Sequence, residues 1–501
     1  MEGPTLSRRL ACLGVALALL VLGLAGCSQS DDHALRFGLA SSPINLDPRF
    51  ATDAASTRIN RLLYQRLVDF DEQLRPRPSL AEWQQLSPTH YRFHILLGMA
   101  TFHDGTALTA EDIKATYDSL LDPATASPHR AGLSMIAAIE VVDEQTVDFR
   151  LHKPDPLFPG RLVIGILPAE RVANQHPFSR QPVGSGPFEF VAWPEEGRLR
   201  LQRLEDGQTL SFITVKNPTV RVLKLLRGEI DMLQNDLPPE LVNYLAGQTG
   251  IQLKKAPGSN FTYLGFNLQD PDTGRLKLRQ AIAHAIDRPA IIEYVMGGAA
   301  TPASALLPPD HWAGNPDLEP YAHDPARARV LVKEAGYIGG QRPQLVYKTS
   351  SDPFRVRLAT VIQQQLAEVG IDVELRSYDW GTFYGDIKAG RFQMFSLSWV
   401  GIKTPDIFRY VFHSTAVPPK GANRGRYVDK VADQLIETAE GERALDDQAE
   451  IYARLQARLL EQLPYVPLWY ENHVFAARQG IEGYTVARDG NYDGLIHVTR
   501  D

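Results

Sequence analysis

The chain has 501 residues, 44% of them hydrophobic and 22% charged, and a formal charge of −7. That length exceeds one ordinary core, so at least two domains are expected. The composition is that of a folded soluble protein, and the acidic balance without a basic stripe argues against a nucleic-acid partner.

The first 26 residues read as an export signal. Arg8 and Arg9 form a positive segment, Leu10 to Leu24 is apolar, and Leu24-Ala25-Gly26-Cys27 closes it with small residues before a cysteine. The apolar run is short for a permanent span, which needs about 20 residues. Leu24 to Cys27 resembles a bacterial lipobox, in which the thiol is acylated and the chain is cut just before it. The resemblance implies a lipoprotein whose mature chain starts at Cys27, lipid-anchored to a membrane. Ser7-Arg8-Arg9 is a partial match to a twin-arginine signal. The two cysteines are Cys12 and Cys27. With Cys12 removed in the signal, no disulfide, thiolate metal site or cysteine nucleophile remains. Residues 27–34 fit a polar tether.

The folded part opens with an expected strand at Leu35–Leu39 and a loop of turn residues from Ser41 to Pro48. Ile59, Leu62, Leu63 and Leu67 lie at helical spacing, so a helix is expected over Ala54 to Leu67. Alternation of Tyr91, Phe93 and Ile95 predicts a hairpin over Glu82 to Leu97. Thr109 with Asp112 three residues on predicts an N-capped helix from Ala110 to about Leu121. Val183-Gly184-Ser185-Gly186 reads as a turn feeding a strand; its glycines lack the lysine of a phosphate loop.

Leu278, Ala281, Ile282, Ala285 and Ile286 form a stripe for packing on a sheet, with His284 packed beside it. A helix from Arg355 to Glu368 precedes a strand from Ile371 to Ser377, an α/β alternation. Phe392, Met394, Leu397 and Trp399 make a strand that ends in a glycine loop at Gly401, where its last backbone groups can face an extended visitor. Residues 427–463 are expected to be helical, with a solvated charge run near Glu440 to Asp447. No serine-nucleophile or zinc-protease motif occurs, the 13 histidines are scattered, and no pair at metal-ligand spacing stands beside a third plausible ligand.

The blocks Phe102 to Ile113, Gly184 to Phe190, Phe261 to Asn267, Leu278 to Arg288, Asp324 to Tyr337, Leu366 to Ile371 and Leu463 to Leu468 occur in one order. That order resembles the extracytoplasmic solute-binding proteins of the peptide/nickel importer class, family 5, which includes the dipeptide and oligopeptide binders. The resemblance spans essentially the whole mature chain. It implies an α/β, two-lobed periplasmic-binding-protein fold with mixed sheets, a hinge and an extra subdomain in lobe one. Lobe one would hold residues 35–258 and 478–501, and lobe two residues 259–477, crossing near Ala256 to Ser259 and Glu471 to Arg478. It further implies a non-enzymatic component of an ABC importer. The solute would be a peptide or other small molecule, with a permease and ATPase as partners, no cofactor and a monomeric state. A sensor or envelope interaction module of the same fold is the alternative.

Ligand contacts are expected from Ser41, Asn45, Tyr263, Tyr378, Trp380, Ser398, Trp399, Val400, Gly401, Ile402, Lys403 and Asp406. The family's short-peptide binders hold the ligand ammonium with an aspartate three residues after the tryptophan. Here that position is Ile402. They hold the ligand carboxylate with an arginine before the loop at Asp352-Pro353, where this chain has Thr349 beside Lys348. Both zwitterion anchors are therefore missing. Burying a charged end without a counter-charge costs several kcal/mol, so longer or blocked peptides, or another amphipathic solute, are expected rather than free dipeptides.

Overall fold

The computed structural model describes residues 34–96, 101–195 and 197–501. The signal, Cys27, all but the last residue of the tether, and Leu97 at the end of the expected hairpin lie outside them.

An 11-stranded sheet runs through both lobes. Its lobe-one strands are β1 (Leu35–Leu39), β6 (Phe188–Glu195), β7 (Arg198–Arg203), β8 (Thr209–Thr214) and β9 (Met232–Gln234). Between β1 and β6 the chain builds the subdomain. Its sheet of β2 (Ala81–Ser87), β3 (His90–Ile95), β4 (Ile136–Asp143) and β5 (Thr146–Leu151) has the order β2-β3-β5-β4. Two long strands then cross between lobes: β10 (Ile251–Phe266) and β14 (Tyr465–Arg478). The lobe-two strands are β11 (Gln344–Ser350), β12 (Asp372–Tyr378) and β13 (Met394–Trp399). The order along the main path is β12-β11-β13-β10-β14-β9-β1-β8-β7-β6.

The sheet is mixed in a way that fixes direction. β1 is parallel to β8 and β9, and β11 is parallel to β12 and β13. The β10–β14 ladder runs from Ile251↔Arg478 to Ala256↔His473, then resumes at Asn260↔Glu471. On the near side of that gap β14 pairs with lobe-one β9; on the far side β10 pairs with lobe-two β13. Pro257, Gly258 and Ser259 fill the irregular stretch. Proline lacks the ladder donor there.

Helices cover the sheet where their apolar faces demand it. Among them are α1 (Ala54–Leu63), α2 (Ala110–Leu121), α3 (Pro239–Ala246), α4 (Leu276–Ala285), α5 (Pro353–Glu368), α6 (Trp380–Ala389), α7 (Lys430–Gly441) and α8 (Leu445–Gln462). The lobe-two sheet is buried on both faces. One face meets α4 and α5 through Ile282, Ile286, Ile362 and Leu366; the other meets Phe408, Ile436 and Tyr452. Lobe one has its own core around Phe37, Phe212 and Phe475, and the subdomain another around Phe93, Phe149 and Phe158.

The α2 boundaries match the expectation, because the cap is local. The Thr109 amide donates to Asp112 Oδ2 at 2.7 Å, and Asp112 Oδ1 accepts from the Ala169 amide at 2.7 Å. The expected helix from Ala54 to Leu67 instead stops at Leu63. Its end is covered by the glycine turn: the Gly186 amide donates to the Leu63 carbonyl at 2.8 Å, and a Cβ on Gly184 would stand 1.9 Å from that same oxygen. The glycines therefore serve a helix end. The expected helical stretch 427–463 is two helices, α7 and α8, broken at 442–444, with Asp429 capping the first. His284 is packed, its Nδ1 2.9 Å from the Ala322 carbonyl and its ring edge-on to Tyr321.

Candidate functional site

Parallel strands concentrate their carboxyl ends on one edge, where ligands of open α/β sheets bind. Here both lobes turn those ends toward one cavity of about 640 Å³. Leu39 at the end of β1 and Ala40 and Ser41 after it enter the cavity, as do Asn235 and Asp236 after β9. From lobe two, Asp352 enters after β11 and Val400 after β13. The floor is the crossing itself, with Asn260 of β10 and Glu471, Asn472 and His473 of β14.

Polar groups on that floor are held in order. Glu471 Oε1 accepts from Arg355 Nη1 at 3.0 Å and from Thr262 Oγ1 at 3.1 Å, and Thr262 meets Ser398 Oγ at 2.6 Å. His473 Nε2 lies 2.9 Å from the Arg488 carbonyl, so it donates, and Nδ1 accepts from Asn235 Nδ2 at 2.9 Å. Burial lowers the His473 pKa against the weaker opposing effect of that carbonyl, so the ring is neutral near pH 7. Arg58 on α1 stands 5.4 Å over the Tyr492 ring.

Of the sequence-expected residues, Ser41 and Val400 line the cavity, Val400 with 68% of its surface exposed. Trp399 is half-buried. Arg424 sits 5.0 Å over its ring and Tyr410 meets it edge-on. The β10–β13 ladder reaches Phe261↔Trp399, but the β11–β13 ladder stops at Lys348↔Phe395. The outer edge of Ser396 to Trp399 thus has no strand partner among the described residues. Gly401 follows at φ +72°, a left-handed conformation that favours glycine. Tyr378 and Trp380 close the carboxyl end of β12; Trp380 is 59% exposed and stacks on Tyr384 at 5.3 Å.

Six of the expected residues stand away from the cavity or are engaged within the protein. Asn45 lies outside the cavity lining, and its Oδ1 accepts from the Asp47 amide at 2.8 Å to close a turn. Tyr263 is wholly enclosed: it stacks on Tyr465 at 3.9 Å, and its hydroxyl accepts from Arg424. Ser398 orients Glu471 through Thr262. Ile402 is a core residue. Lys403 Nζ donates to Asp489 Oδ2 of the C-terminal tail at 2.6 Å. Asp406 accepts from Arg161 of the subdomain at 3.2 Å. The last two charges join lobe two to lobe one. Thr349 is also buried, and neighbouring Lys348 pairs with Asp386 at 2.7 Å.

Arg58, Asn235, Asp236, Arg355 and Glu471 were not among the expected residues. A strand-end rule applied to the residues after β9, and to the first turn after Asp352-Pro353, is the signal that points to Asn235, Asp236 and Arg355; Arg58 on α1 and Glu471 within β14 carry no such local signal.

The profile of the bacterial extracellular solute-binding proteins, family 5 Middle, matches residues 75–418. The chain belongs to that family. The Escherichia coli dipeptide-binding protein is 27% identical over 95% of this chain and 96% of its own length. Heme-binding protein A of Haemophilus influenzae is 26% identical over 97% and 98%. Among solved structures, the ABC transporter-associated periplasmic binding protein DppA of Helicobacter pylori in complex with peptide STSA is similar. It shows 26% identity and a TM-score of 0.72, covering 93% of this chain and 98% of that one. No described helix of this family member is long and apolar enough to cross a membrane.

Proposed function

We propose that this family 5 protein captures a peptide or peptide-like solute between its lobes and hands it to an ABC permease and ATPase. Acyl groups on Cys27 would hold it at a membrane of the cell envelope as a monomer. Lobe one comprises residues 35–258 and, with Phe475 in its core, 475–501 rather than the expected 478–501; lobe two comprises residues 259–474, and the strands crossing at 257–259 and 472–474 form the hinge of a closing clamp.

One observation carries the reading: the 640 Å³ cavity lies at the carboxyl ends of parallel strands from both lobes, directly over the crossing strands. The volume is that of a small-solute site. The unpartnered edge of β13 suits an extended backbone, which would pair there by strand addition. The peptide bound by the Helicobacter pylori relative supports this class, and the missing anchors at Ile402 and Thr349 argue for a blocked or longer peptide over a free dipeptide. Native mass spectrometry of protein purified without unfolding tests the capture: an adduct of peptide mass is expected, and a non-peptide adduct would overturn the peptide class. Incorporation of labelled palmitate that Cys27→Ser abolishes tests the anchor; labelling that persists would refute it.

A further inference from the structure

Resting on the capture reading above, we propose that Arg58 on lobe one takes the carboxylate of the solute, a role moved from the lobe-two position now occupied by Thr349. The charges around the cavity leave Arg58 for this task. Arg58, Arg355, Asp236, Asp352 and Glu471 all line it. Arg355 is engaged by Glu471 at 3.0 Å, and Glu471 by Thr262 as well. Asp352 accepts from the Arg355 amide at 2.9 Å to start α5. Arg58 has no carboxylate partner among the described residues. Its guanidinium lies over the Tyr492 ring at 5.4 Å and close to the Tyr492 hydroxyl, on the half-buried wall beside Ser41 and Asn235.

A guanidinium braced on an aromatic face keeps its planar fork available, and that fork matches a carboxylate in two parallel hydrogen bonds. On lobe two, Arg355 also lines the cavity, paired with Glu471. A solute whose carboxylate is held by Arg58 on lobe one and whose backbone pairs with the free edge of β13 on lobe two would bridge the two lobes. The solute thereby interacts more strongly with the closed state, which a ligand must do to shift the equilibrium. The remaining carboxylate, Asp236, sits at the end of β9 in a left-handed conformation with φ 56°.

The test uses the full mature chain and two pools of randomised N-acetyl tetrapeptides, one with a free C-terminal carboxylate and one amidated. Peptides retained through size exclusion are counted by mass spectrometry. The acid pool is expected to be retained on the order of ten- to a hundredfold better, the range of a lost charge-assisted pair. Arg58→Gln should abolish that preference, and Arg58→Lys should restore part of it. A merely structural arginine would lower retention of both pools together, which would overturn the assignment. Equal retention of acid and amide by the unaltered protein would also overturn it while leaving capture intact. Retention of neither pool would overturn the capture of blocked peptides itself.

Discussion

Replacing Lys403 by Met removes the cation that ties the loop after β13 to the C-terminal tail. The pair is partly enclosed, with 26% of the Lys403 side chain and 13% of the Asp489 side chain exposed, at 2.6 Å. Burial pushes the Asp489 carboxyl up; Lys403 and Arg61 outweigh it, so the group titrates below the usual carboxylate range. Hydrogen bonds to charged groups contribute roughly 1.5–3 kcal/mol. The exposed edge of this pair admits screening, so a coupling of about 1.5 kcal/mol between Lys403→Met and Asp489→Asn is expected. Because the folded pKa of Asp489 is depressed, its contribution is present above the unfolded value of about 3.9 and is lost as pH falls through the folded value. The deficit of Lys403→Met should therefore be largest near pH 7 and shrink below about pH 4. Urea unfolding of the two single variants and the double variant at pH 7 and pH 3.5 measures this. A coupling within about 0.3 kcal/mol of zero at pH 7, the scatter of independent sites, would show that Lys403 does not join the lobes.

Ile402→Asp, which restores the aspartate of the short-peptide binders, should lower stability by about 2–4 kcal/mol, because it places a carboxylate in the core of Phe408 and Tyr452; gain of free dipeptide binding by calorimetry would contradict that placement. Asp112→Ala leaves the amides of Thr109 and Ala169 unpaired and should cost about 2 kcal/mol in urea unfolding, with an unchanged midpoint counting against the cap. His311 is neutral at pH 7: burial, opposed weakly by the Lys403 carbonyl, lowers its pKa to about 4. The unfolded chain binds that proton first, so stability should fall between about pH 6.5 and 4 with a slope of up to ~1.4 kcal/mol per unit. His311→Gln should reduce the slope, and parallel slopes would refute the assignment.

Local signals were legible in the sequence and distant ones were not. The cap at Thr109 and Asp112 lies within one turn, so α2 could be bounded from four residues. The end of α1 depends on Gly184 and Gly186, more than a hundred residues away, and helical spacing alone carried the expected helix past Leu63. Tyr263 shows the limit of strand patterns. Both faces of the lobe-two sheet are covered, so alternation cannot say which aromatic faces the cleft, and this one stacks inside on Tyr465. Lys403 and Asp406 looked free because their partners, Asp489 and Arg161, lie in the tail and the subdomain. Arg58 and Asp236 reach the cavity only once β1 and β9 are known to be parallel neighbours.

Capture as proposed requires two lobes that close over a solute in the cavity above the crossing strands. Spin labels on Tyr244→Cys of α3 and Val330→Cys, both at exposed positions on opposite lobes, report the distance between them by pulsed electron resonance. The distance is expected to shorten by several ångströms when the retained peptide pool is added. A distance that stays unchanged while mass spectrometry shows the peptide bound would contradict it.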